Sequence, residues 1–190
     1  MKVYELIIDE EKDKVDYIAI VDRPAIESDF MAFNEDRERF KIINEEKRIV
    51  SGYFMIADLE IYRNDEIRGE HFVKFSGDTI KTIAYDFMKN GRNSNVNLMH
   101  DMRLKLNDVF VFESFLIDSE RGMLAPKGFK QEADNSWFGS MYVENDDVWN
   151  SIKEGKFKGF SVEGNFTRKP LDEFEIQLQE IKKLIENVTI

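Results

Sequence analysis

The chain contains no cysteine among its 190 residues. That excludes disulfides, thiol nucleophiles and cysteine-based zinc sites. Histidine is nearly absent, occurring only as His71 and His100. Any imidazole that acts as a general base near neutral pH must be one of these two. They form no H-E-x-x-H pair, so neither a zinc site nor any other metal or cofactor is expected. No apolar run reaches the length of a membrane-spanning helix. The opening "MKVYELIIDEEKDK" has too short an apolar stretch for a secretion signal, and no small-residue cleavage site. A membrane partner is not expected. A net charge of -11 argues against nonspecific nucleic-acid binding. It suits a basic partner, and equally a plain acidic surface.

What is present is apolar and aromatic. Hydrophobic residues make up 42% of the chain, with 16 Phe, enough for one domain with a real core. Runs 3–8, 15–21, 49–57 and 71–76 read as strands, with Gly52 as a bulge in the third. Segment 34–48, "NEDRERFKIINEEKR", is mostly charged and reads as an exposed connector. Residues 77–91 carry a helical stripe at Ile80, Ile83, Ala84, Phe87 and Met88, with Asp78 able to cap the start. Strands are expected at 96–102, 108–118, 137–144 and 158–166, and a short helix at 145–156. After Pro170, "LDEFEIQLQEIKKLIENV" (171–188) is an amphipathic helix, expected to pack on the domain. Many strands, few helices and no βαβ rhythm suggest an α+β fold built on a closed or nearly closed antiparallel β-barrel.

Three residues draw attention. In "KGFSVEGNF", alternation puts Phe160, Val162 and Phe166 on one face and Ser161 and Glu163 on the other. Taken alone, Ser161 reads as an ordinary strand serine. His100, in "VNLMHDM", shares a face with Val96 and Leu98 and could equally be a core histidine. Glu113, in "DVFVFESFLID", lies among apolar residues on both faces. It is expected to be partly desolvated and to need a partner, either a cation or an imidazole. A serine becomes a nucleophile when an imidazole takes its proton and a third group orients that imidazole.

The segments "VDRPAIESDF" (21–30), "NLMHD" (97–101), "VFESFLID" (111–118) and "GSMYVENDDVWNSIKEGKFKGFSVEGNF" (139–166) resemble, in order and spacing, the tailed-phage prohead (capsid maturation) serine proteases, a family related in fold to the herpesvirus assemblins. The resemblance covers residues 1–167. It implies a β-barrel flanked by helices, with the family's histidine at His100 and its serine at Ser161. The third member does not transfer cleanly. Glu113 is the first candidate on the burial argument; Glu163, His71 and Asp101 are weaker ones. The resemblance also implies cleavage of phage scaffold and major capsid proteins, and of the chain itself, within the procapsid in the host cytoplasm. A homodimer is compatible with this, and direct contact with nucleic acid is not expected. The rival is an inactive capsid-assembly protein on the same barrel, with helix 171–188 as its interaction element.

Overall fold

The computed structural model describes residues 2–8, 14–22, 40–44 and 47–171, together with 174, 177, 178, 181 and 185 of the terminal segment. Most of "VDRPAIESDF", from Arg23 on, lies outside the described residues. The strands, in chain order, are β1 (Lys2–Ile7), β2 (Val15–Val21), β3 (Phe40–Asn44), β4 (Ile49–Met55), β5 (Ile61–Asp65), β6 (Gly69–Lys74), β7 (Val96–Leu98), β8 (Asp101–Leu106), β9 (Val109–Leu116), β10 (Trp137–Val143), β11 (Gly159–Gly164) and β12 (Thr167–Pro170). Two helices interrupt them, α1 (Gly77–Lys89) and α2 (Asp146–Lys153).

The strands form three four-stranded sheets: β12-β1-β6-β5, β3-β4-β10-β9 and β11-β2-β7-β8. The α+β class is as expected, but no sheet closes on itself, so the expected barrel is replaced by three open sheets. Consecutive strands do not always pair. The run 3–8 enters the first sheet, parallel to β6, and 15–21 enters the third, between β11 and β7. Alternation shows which face of a strand is apolar; it does not show which strand lies beside it.

One core is shared by elements of the second and third sheets and both helices. Phe160 of β11 is its hinge point, edge-on to Phe54 at 5.0 Å and tilted against Phe40 at 5.2 Å. Helix α1 buries Ile80, Ile83, Ala84 and Phe87 of the predicted stripe on this core, while Met88, also expected there, is exposed. Its N-cap is Ser76, whose hydroxyl accepts from the Thr79 N–H; Asp78 instead lies in the first turn, where a negative charge favours the helix dipole.

Several expectations need correction. Within segment 34–48, Phe40–Asn44 is strand β3, because Phe40 and Ile42 pack against the main core. The irregularity of β4 falls between Tyr53 and Met55, not at Gly52, which pairs in register with Gly139. A side chain at Gly139 would strike the Phe54 ring, since a Cβ there would lie 2.3 Å from it. In the terminal segment the described positions 174, 177, 178, 181 and 185 are helical, with Phe174, Leu178 and Ile181 exposed.

Candidate functional site

Strand β11 sits at one edge of the third sheet, antiparallel to β2. Phe160 is driven into the core, so Ser161 must face the other way. Its neighbour across β2 is Ala19, and Ala19 in turn faces Asn97 on β7. Ser161, Ala19 and Asn97 thus form one row on the face opposite the core. Ser161 is 6% exposed, and Ala19 and Asn97 are fully buried. Glu163 follows Ser161 on the same face, about 7 Å along the strand.

His100 is not in a strand. Strand β7 ends at Leu98, which pairs with Asp101, the first residue of β8. Met99 and His100 are the two residues of the connecting turn, with φ of 55° and 58°. Both central residues at positive φ match a type I′ hairpin turn, where Asn-Gly is the favoured sequence. A methionine and a histidine there carry a cost of order 1–2 kcal/mol each. The tip is tied down: the Met99 N–H donates to Ile20 O at 3.1 Å, and the Asp22 N–H donates to the Met99 sulfur at 3.4 Å. The reading of His100 as a core histidine sharing a face with Val96 and Leu98 is therefore corrected.

The tip carries the imidazole towards β11. His100 Nδ1 lies 3.6 Å from Glu163 Oε2, within ion-pair reach but beyond hydrogen-bond length. The same oxygen accepts a 2.7 Å hydrogen bond from Asn97 Nδ2. With Nδ1 facing the carboxylate, Nε2 is the nitrogen left for another partner. Among the described residues, no hydrogen bond joins it to Ser161 Oγ. His100 is 41% exposed, whereas Ser161 is nearly buried.

The other acid and imidazole candidates lie elsewhere or are engaged. Glu113 is on β9 in the second sheet, facing Ser140 of β10, and it is exposed. Its expected desolvation is corrected: β9 borders its sheet, and the apolar neighbours at Val109 and Val111 are buried while Phe112 and Glu113 are not. Asp101 is held by the Arg103 guanidinium, with contacts of 2.7 to 3.2 Å. That side chain, with help from the Arg103 N–H, pulls its carboxyl below the usual range. His71 is buried in the first sheet, with Nδ1 2.8 Å from Gly69 O and Tyr4 edge-on to its ring. The structure thus brings Ser161, Glu163 and His100 to one sheet, and leaves Glu113 and His71 in two others.

Asn97 was not anticipated. The signal was available: it is the only polar residue in the strand "VNL", immediately before the histidine segment. Among the described residues, no group of three or more His, Asp or Glu side chains could hold a metal ion.

A family model described as "Putative phage serine protease XkdF" matches residues 38–169, more than half of the chain. Ser161, His100 and Glu163 all fall within the match. No curated protein and no solved structure matches the chain.

Proposed function

The chain belongs to this phage serine protease family, and we propose that it is a serine endopeptidase with Ser161 as nucleophile, His100 as base and Glu163 as the group that positions the imidazole. The observation that carries this reading is the approach of His100 Nδ1 to Glu163 Oε2, on the strand that bears Ser161. Glu163 takes the role first given to Glu113.

In this mechanism Nδ1–H points to the Glu163 carboxylate, which fixes the tautomer and leaves Nε2 with a free lone pair. The mechanism requires Nε2 to reach Ser161 Oγ, by rotation of the His100 side chain on the held 99–100 tip. Nε2 then takes the hydroxyl proton as Oγ bonds to the peptide carbonyl carbon. The imidazolium returns that proton to the departing amine, and the C–N bond breaks to leave an acyl-enzyme. Water, deprotonated by the same nitrogen, releases the acid and restores Ser161.

The substrates in this reading are phage scaffold and capsid protein segments, and the chain itself, within the assembling procapsid. The second reading, an inactive assembly protein, draws on the exposed apolar side chains Phe174, Leu178 and Ile181 of the terminal helix. Co-expression with the neighbouring capsid and scaffold proteins separates the two. Processing that disappears with Ser161→Ala and with His100→Ala, while both variants stay folded, supports the protease. Processing that persists with Ser161→Ala refutes it.

A further inference from the structure

We infer that Asn97 is a positioning residue of the site, its amide holding the Glu163 carboxylate where that group can orient His100. This rests on the protease reading above. Asn97 is fully buried on a strand whose other two residues, Val96 and Leu98, are apolar. Its Nδ2 donates to Glu163 Oε2 at 2.7 Å. The amide can stand only this way round, because the reverse orientation would set two acceptors together.

The other half of the amide is the telling part. Asn97 Oδ1 is buried and, among the described residues, has no hydrogen-bond partner. Leaving a buried acceptor unmade is costly, and residues that serve stability alone are rarely left so. The amide's one partner, among the described residues, lies at its other end. That partner is a carboxylate whose only other close polar neighbour, among the described residues, is His100 at 3.6 Å. Glu163 is 29% exposed, so without Asn97 its side chain is free to turn into solvent. Ala19, between Asn97 and Ser161 in the row, contributes only a methyl group.

The test is Asn97→Leu, which keeps the volume and removes both the hydrogen bond and the orphaned oxygen. A purely structural asparagine predicts a lower urea midpoint and unchanged turnover. A positioning asparagine predicts a midpoint unchanged or raised, kcat lowered by roughly tenfold or more, and KM within about twofold. The decisive readout is the His100 ring tautomer, by nitrogen-15 NMR of histidine-labelled protein, with His100→Ala to assign the signal. Wild type should hold the Nδ1-protonated form, and Asn97→Leu should lose that preference. Asn97→Ser, which leaves a small void and so lowers the midpoint but carries the same expected loss of tautomer preference and turnover, serves if the leucine variant does not fold. A wild-type ring protonated mainly on Nε2, or a folded variant with wild-type tautomer and turnover, overturns the inference. The tautomer needs no turnover to be read. A wild type that cleaves nothing and whose Ser161 ignores a fluorophosphonate probe would sink the protease reading, while the role of Asn97 would still be decided.

Discussion

Two sheets of this molecule each carry a buried serine in a row of cross-strand partners, and they use it differently. In the second sheet the row runs Ser51, Ser140, Glu113. In the third it runs Ser161, Ala19, Asn97. Ser51 and Ser140 are both buried, and their hydroxyls bond to each other at 2.7 Å. Glu113, beside them, is exposed, and none of the four strands of that sheet contains a histidine. In the third sheet alanine replaces the neighbouring serine, so Ser161 has no hydroxyl across the ladder to satisfy it. The carboxylate lies two residues along the same strand, and a hairpin tip delivers an imidazole to it. A buried serine beside a glutamate is thus closed structure in one sheet, and in the other it is the proposed nucleophile beside a carboxylate that faces an imidazole. What differs is the partner the register supplies, not the residue type.

The sharpest way to break this comparison is to remove each serine in turn. Ser161→Ala should abolish peptide cleavage, by at least about 10⁴-fold in kcat, with little effect on stability. Ser140→Ala should leave turnover intact and lower stability by about 1–2 kcal/mol, because Ser51 Oγ then stays buried without its partner. Cleavage assays and urea unfolding on both variants decide it. Equal loss of activity in the two would erase the distinction.

Next in size is the pair of glutamates. Glu163→Gln should cost roughly 10²-fold or more in kcat, since a neutral amide stabilises the imidazolium poorly and can select the wrong tautomer. Glu113→Gln, on an exposed site in the other sheet, should change kcat by less than about twofold and stability by less than about 0.5 kcal/mol. A large loss of activity at Glu113 with no loss at Glu163 would return the positioning role to the residue first favoured.

The sequence made the faces legible and the neighbours illegible. Alternation in "KGFSVEGNF" correctly separated Phe160 from Ser161, because a buried aromatic enforces the pleat. The stripe of α1 was readable from its helical spacing except at Met88, and the Ser76 cap starts the helix two residues earlier than a cap at Asp78. The scarcity of histidine made His100 a candidate base before any geometry was known. What failed were inferences that need to know which strands pair. Glu113 looked buried because its own strand is apolar, but an edge strand leaves one side open. His100 looked like a strand residue because "VNLMHDM" contains no glycine to announce a turn, and the structure makes the turn from Met and His at positive φ. Local propensity cannot signal a turn that contradicts it. Such a conflict is what a functional tip is expected to show.

The comparison also predicts where pH acts. Polar groups of the second sheet should appear in stability and those of the third in activity. Tyr53, on β4 in the second sheet, tests the first half. Its side chain is buried, and its hydroxyl donates to Lys130 O at 2.8 Å. Burial pushes that hydroxyl up from 10 to about 12. In the unfolded chain the phenol loses its proton near pH 10, while in the folded chain it keeps it until about pH 12. Between these values the unfolded state binds fewer protons, so stability falls as pH rises. The contribution is complete below about pH 10 and is lost by about pH 12, an effect of about 2 kcal/mol. Tyr53→Phe should cost about 1 kcal/mol at neutral pH through the lost hydrogen bond. It should also flatten the alkaline limb, so that the two curves cross between pH 10 and 12 and the variant is the more stable by about 1 kcal/mol near pH 12. Urea midpoints measured from pH 8 to 12 on both proteins test this, and curves that stay parallel throughout would remove Tyr53 as the cause.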